Sequence, residues 1–169
     1  QVCLHTNRVI GVEALLRWRA EDGCFISPVD FIPLAESSGL IVSLGEWVLR
    51  RSLNAVRDLQ AAGHGDMVVA VNVSAMQFRR PDFLNVVDTA LVDCGVAPDR
   101  LELEVTESVA IMGAEMVESI FAALKTRGIS LAIDDFGTGF SSLSYLDRLP
   151  ADRIKIDRAF VNALDSGER

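Results

Sequence analysis

Lysine is almost missing from this chain. Of sixteen basic residues only Lys125 and Lys155 are lysine, so a lysine at a special position stands out. Cys3, Cys24 and Cys94 are far apart, odd in number and form no CxxC pair. That spacing excludes a disulfide framework and a thiolate zinc site, and fits a reduced cytosolic domain. The two histidines, His5 and His64, have no ligand spacing and read as surface residues. No apolar run reaches the roughly 18 residues a membrane-spanning helix needs, and no signal-peptide pattern is present. Positive charge is in deficit, with a net charge of −8 and a pI of about 4.7. This argues against binding to a nucleic-acid polymer or an anionic membrane, while leaving room for a small phosphorylated ligand held through metal ions. There is no low-complexity linker. The first residue is Gln1 rather than Met, which is expected of a piece of a longer protein.

The chain has 169 residues, half of them hydrophobic, enough for one α/β domain with a real core. Val9 to Val12 reads as a short strand that continues into Glu13-Ala14-Leu15. Ser27-Pro28 starts a helix ending near Gly39. A longer helix, 42–62, carries Leu44, Trp47, Val48, Leu53, Val56 and Leu59 on or near one face. The run from Met67 to Val73, broken only by Asn72, suits a parallel strand buried on both faces. Pro81-Asp82 opens a helix that stops at Gly95. Leu101 to Glu107 alternates apolar and polar residues and, taken alone, predicts a half-exposed strand. A helix follows from Ala114 to Arg127. A strand then ends at Asp134, a short helix precedes Pro150, a strand spans 153–157, and a last helix begins near Arg158. Strands alternating with crossover helices predict a parallel sheet.

The most informative stretch is LAIDDFGTGFSSLSYL, Leu131 to Leu146. An apolar strand ends there in two adjacent carboxylates, Asp134 and Asp135. Such a pair is costly unless a divalent cation offsets it; an Asp-rich turn capping a helix is the plainer alternative. The rest of the chain favours the cation. Glu13, Asn72, Glu104, Asp134 with Asp135, and Lys155 each lie in or at the end of a strand. In parallel barrels and open α/β sheets those ends converge on one face. All but Lys155 offer oxygen, which suits Mg²⁺ or Mn²⁺. Two Asp residues can serve two ions, which can clamp both oxygens of a phosphodiester displacement. Lys155 suits a water or a phosphate, and Arg17 suits a phosphate oxygen. These features do not separate phosphodiester hydrolysis from enolase-like proton abstraction.

At these same residues the sequence resembles the EAL-domain family of cyclic di-GMP phosphodiesterases. Glu13-Ala14-Leu15 is the motif that gives the family its name. FIPLAE (Phe31 to Glu36), NVSAMQF (Asn72 to Phe78), ELEVTES (Glu102 to Ser108), IDDFGTGFSSLSYL and IKIDRAFV (Ile154 to Val161) follow in the family's order. The resemblance implies a TIM-like (β/α) barrel that opens cyclic di-GMP to linear pGpG with two Mg²⁺ or Mn²⁺ ions, Ca²⁺ being inhibitory. It implies that Glu13, Asn72, Glu104 and Asp134 hold one metal and that Asp135 serves the second or bridges both. Glu13, Asp135 and Lys155 would then be the catalytic residues, with Lys155 orienting the water. Arg17, Leu15, Asp157 and Pro33 would contact substrate or shape its pocket; Asp157 equally suits an N-cap for the helix from Arg158. Glu107 would anchor the loop of Phe136, Gly137, Thr138, Gly139, Ser141 and Ser142, which couples metal binding to dimer contacts in this family. Glu102 shares a strand face with Glu104 and receives no role.

The resemblance also has gaps. A TIM barrel typically needs about 250 residues. The family's later catalytic Glu, its Gln-Gly motif and its Tyr-Gln-Pro segment have no counterpart between Gln1 and Arg169. Residues 1–169 are therefore expected to be a single EAL-type domain truncated at both ends, an incomplete barrel with five or six strands. The alternative function is a cyclic di-GMP receptor or interaction scaffold that does not cut its ligand. Expected partners are cyclic di-GMP, a second copy of the chain, and sensory or cyclase domains in the parent protein. No nucleic-acid polymer and no direct membrane contact are expected. The expected location is the cytoplasm, with membrane anchoring left open for the parent.

Overall fold

In the computed structural model, the structure describes residues 1–111, 114–137, 150–158 and 162. The chain opens with a hairpin of β1 (Val2–Cys3) and β2 (Arg8–Val9), then β3 (Gly11–Ala14) and a second hairpin of β4 (Trp18–Arg19) and β5 (Phe25–Ile26). Helices α1 (Pro28–Ser37) and α2 (Ile41–Ala61) lead to β6 (Val68–Asn72), α3 (Ala75–Phe78) and α4 (Phe83–Cys94). Next come β7 (Leu101–Thr106), α5 (Glu107–Ile111), α6 (Ala114–Thr126), β8 (Ser130–Phe136) and β9 (Arg153–Ile156). Five strands form one parallel sheet in the order β3-β6-β7-β8-β9. Each new strand adds beside the last, with crossover helices between most of them. This is the winding of a TIM-like barrel, present here as an open half-barrel.

The two faces of the sheet have different chemistry. Outward-facing Val69, Val71, Leu101, Leu103, Val105, Leu131 and Ile133 join Leu53 and Val56 of α2, Val87 and Leu91 of α4 and Phe121 and Leu124 of α6 in one buried cluster. Phe78 fixes its centre, with ring centroids 5.4 Å from Phe83 and 5.6 Å from Phe121. On the concave face the small residues Gly11, Ala70 and Ala132 leave room for long charged side chains from their neighbours.

Several elements differ from the sequence expectation. The two hairpins were not anticipated; each consists of two-residue strands, too short to show a period. Strand β7 is not half-exposed: Glu102 and Glu104 are fully buried, because the polar face of the strand turns into the half-barrel instead of out to water. Trp47 is not in the core, being 57% exposed, and the buried stripe of α2 is Ile41, Leu49, Ser52, Leu53 and Val56. Strand β8 does not end at Asp134 but continues through Asp135 to Phe136. Ser27 stands at the N-cap of α1, yet its side chain makes no capping bond. Gly95 ends α4 in the left-handed region (φ 65°). The short helix expected before Pro150 and the body of the helix expected after Arg158 lie outside the described residues.

Candidate active site

Four parallel strands deliver carboxylates or an amide to the same end of the half-barrel, and a fifth delivers a lysine. Register decides this. Glu13 pairs with Ala70, Asn72 with Glu104, and Thr106 with Asp134. Period-two alternation then turns Glu13, Asn72, Glu104, Asp134 and Lys155 to the concave side. Lys155 Nζ donates to Glu104 Oε2 at 2.7 Å and to Asp134 Oδ2 at 3.0 Å, and lies 3.5 Å from Glu13 Oε2. Asn72 Nδ2 donates to Glu13 Oε1 at 3.1 Å. One oxygen from each of Glu13, Glu104 and Asp134 lies within 4.8 Å of the others.

Three carboxylates thus face one ammonium, leaving a deficit of two positive charges. Glu104 feels it most. Burial pushes its carboxyl up to about 7, against the opposing pull of Lys155, and the charges of Glu13 and Asp134 add to the rise. Its Oε1 is buried and has no hydrogen-bond partner among the described residues. An orphaned carboxylate oxygen among oxygen donors fits a hard divalent cation. Burial opposes the charge on Lys155, but hydrogen bonds to Glu104 and Asp134 outweigh it and raise the ammonium well above its ordinary range.

Asp135 enters by a different device. The β8–β9 register slips between Ile133 and Phe136, and Asp135 has φ 54°. A bulge with a left-handed residue re-aims a side chain and stores a little strain. The slip brings Asp135 under the influence of Asp134, Asp157, Lys155 and Glu13. Burial and then the charge of Asp134 raise its carboxyl above the ordinary value. The Asp135 N–H in turn donates to Asp134 Oδ1 at 2.9 Å.

A cleft of about 290 Å³ runs from this cluster toward α1 and is lined by Leu15, Arg17, Ile32, Asn72, Glu104 and Thr106. Arg17 is exposed, its Nη1 donates to the Leu16 carbonyl at 2.9 Å, and it has no ion pair among the described residues. Pro33 lies on the exposed side of α1, next to the cleft-lining Ile32. Glu107 is buried at the start of α5, and its Oε2 accepts from the Gly137 N–H at 3.1 Å, just beyond Phe136. Thr138, Gly139, Ser141 and Ser142 lie outside the described residues.

Sequence reasoning passed over a second charged layer below the first. Glu102 Oε2 accepts from Arg153 Nη1 at 2.7 Å, and Glu102 Oε1 accepts from Gln1 Nε2 at 3.0 Å. The signal was present as Glu102-x-Glu104 on β7 facing Arg153-x-Lys155 on β9, two complementary pairs at strand spacing. Gln77 was also passed over. It completes a capping box on α3, its Oε1 accepting from the Ser74 N–H at 3.2 Å while Ser74 Oγ accepts from the Gln77 N–H at 3.3 Å.

The profile of the EAL domain family matches residues 1–169. The chain is 48% identical over 156 residues to the bifunctional diguanylate cyclase/cyclic di-GMP phosphodiesterase MucR of Pseudomonas aeruginosa, covering 92% of this chain and 23% of that protein. It is 42% identical over 168 residues to the cyclic di-GMP phosphodiesterase NbdA of the same organism, covering 99% of this chain and 22% of NbdA. Among solved structures, a MucR phosphodiesterase in complex with c-di-GMP superposes with a TM-score of 0.92 at 46% identity, covering 97% of this chain and 66% of the other. The chain therefore spans less than a quarter of the length of these two relatives.

Proposed function

The chain belongs to the EAL domain family, and from that premise we propose that it forms the catalytic face of a metal-dependent phosphodiesterase that hydrolyses cyclic di-GMP to linear pGpG. The observation that carries this reading is the convergence of Glu13, Glu104 and Asp134 on one point, with Glu104 Oε1 left unpartnered there. The relatives named for cyclic di-GMP phosphodiesterase activity support the substrate. Glu13, Asn72, Glu104 and Asp134 would hold one Mg²⁺ or Mn²⁺, and Asp135 a second, with Ca²⁺ inhibitory. A bound divalent ion supplies Lewis-acid polarisation of a phosphoryl oxygen and a more acidic water.

The chain's own residues account for the rest. Hydrolysis adds one water across one P–O bond: the water oxygen joins phosphorus, and the departing ribose oxygen takes up a proton. Lys155 is held as an ammonium by Glu104 and Asp134, so it donates to the water or to a phosphoryl oxygen and does not act as a base. Arg17, which lines the same cleft, would take a phosphate oxygen of the substrate. Leu15, Pro33 and Asp157 would complete the substrate's surroundings. Glu107 would transmit the state of the site to the loop beyond Gly137 and so to a homodimer contact. Sensory or cyclase domains would be tethered to the chain in the whole protein, as the two-activity name of MucR suggests.

A matched pair of assays tests the reading. Cyclic di-GMP is offered with Ca²⁺ to score retention and with Mg²⁺ to score consumption. Retention in Ca²⁺ with consumption in Mg²⁺ supports hydrolysis. Retention in both ions without consumption overturns it in favour of the receptor.

A further inference from the structure

Two layers of charge line the concave face, and they do not mix. The upper layer is Lys155 among Glu13, Glu104 and Asp134. The lower layer is Arg153 with Glu102 and Gln1. Arg153 reaches down to Glu102 in parallel with Lys155 reaching Glu104, as the stagger of barrel strands allows. Glu104 pairs with Ala132, and Ala132 pairs with Arg153, so Arg153 stands level with Glu104 two strands away. Two strand spacings are about 10 Å between backbones, within the combined reach of an arginine and a glutamate. Only the methyl group of Ala132 stands between them on that row. A guanidinium with five donors would be an excellent partner for the orphaned Glu104 Oε1.

Arg153 goes elsewhere. Its Nη1 donates to Glu102 Oε2 at 2.7 Å and to Gln1 Oε1 at 2.8 Å. Gln1 Nε2 closes the triangle on Glu102 Oε1 at 3.0 Å. Both Glu102 oxygens are thereby satisfied, while one Glu104 oxygen is not. Stability alone is a poor reason to bury Glu102. Glu102 is fully buried while its partner Arg153 is 42% exposed, and desolvating the carboxylate cancels much of the attraction.

We propose that Glu102 is a positioning residue for the cation site: it captures Arg153 and keeps the guanidinium off Glu104, whose second oxygen stays open to a divalent ion. The inference rests on the reading of Glu13, Glu104 and Asp134 as the cation holders. It gives a function to the second glutamate of the ELE sequence and to the arginine of RIK. The device resembles outer-shell control of metal ligands but works by removing a competitor.

The test is calorimetric titration of Mn²⁺ into the wild-type chain, Glu102→Gln, Arg153→Met and the double variant, with a thermal melt of each to confirm folding. Glu102→Gln frees Arg153 to occupy Glu104 and weakens Mn²⁺ binding by roughly tenfold to a hundredfold. The double variant has no competing guanidinium and returns to within about twofold of wild type. Arg153→Met binds Mn²⁺ at least as tightly as wild type. Three results overturn the proposal: wild-type affinity in Glu102→Gln, a double variant as weak as Glu102→Gln, or lost affinity in a folded Arg153→Met. The last keeps the test decisive should Glu102→Gln not fold. Failure of the wild type itself to bind Mn²⁺ is a different result and overturns the cation-site reading together with the proposal.

Discussion

Glu104 is 1% exposed and accepts from Lys155 on one oxygen and from nothing among the described residues on the other. A buried carboxylate in that state is stable only as an acid or beside a cation. Its carboxyl is raised from the ordinary 4.5 to about 7 without metal, so the sign of the pH dependence follows. Between about 4.5 and 7 the folded chain holds a proton that the unfolded chain has released. This contribution to stability is fully present below 4.5 and lost as pH rises through 7. Melts of the metal-free chain are therefore expected to show this contribution shrinking across that window. Cation affinity runs the other way, rising with pH and levelling off above about 7, and titration of Mn²⁺ at several pH values checks it. Glu13→Ala removes a carboxylate on which Asn72 and Lys155 both depend. It is expected to lower turnover by roughly a hundredfold to a thousandfold while the fold survives, measured as product formed per unit time.

At the scale of elements, the NVSAMQF segment ties the end of β6 to α2. Gly45 lies in the interior of α2, where glycine costs roughly 1 kcal/mol relative to alanine. A Cβ at Gly45 would collide with the side-chain amide of Gln77, which completes the capping box of α3. Gly45→Ala is therefore expected to bring none of the usual gain, because displacing Gln77 costs the cap about as much. In a Gln77→Ala background the same substitution is expected to stabilise by roughly 1 kcal/mol, read from chemical denaturation of the four proteins. The contact was not legible in the sequence, because it joins residues 45 and 77 across two elements. The long helices and buried strands were legible, because their apolar residues repeat at 3.6 or run continuously. Strand β7 was misread for an instructive reason. Alternation in LELEVT shows that two faces differ, and only the sheet's curvature shows that the polar one faces a half-barrel interior. The bulge at Asp135 was equally hidden, since a left-handed residue leaves no mark in an apolar strand followed by two aspartates.

For the whole molecule, the five-stranded order explains why residues as far apart as Glu13 and Lys155 meet. Their convergence was legible in the sequence, since polar groups sit at the ends of successive apolar strands. The lower layer was not, since a glutamate two residues before Glu104 looks like any alternating residue until Arg153 is seen to reach it. Among the described residues no helix is long and apolar enough to cross a membrane. A charge deficit at the centre of the half-barrel means that a divalent ion should act on the stability of the whole fold. At a free concentration of a hundred times its dissociation constant, an ion stabilises the folded state by about 2.7 kcal/mol. In a chain of this size that is a rise in melting temperature of roughly 5–10 °C, reversed by EDTA. A scan with Mg²⁺, Mn²⁺ and EDTA checks it, and a smaller rise in Glu13→Ala than in the wild type would locate the effect.

The most direct measurement of the central claim is chromatography of cyclic di-GMP incubated with Mg²⁺ and the protein, repeated with EDTA and with Glu13→Ala, in the chain and in its full protein context. Wild type in Mg²⁺ is expected to form pGpG, with formation abolished by chelation and slowed by roughly a hundredfold to a thousandfold on removal of Glu13. Formation of pGpG that survives both EDTA and Glu13→Ala would contradict the claim, as would intact cyclic di-GMP under every condition.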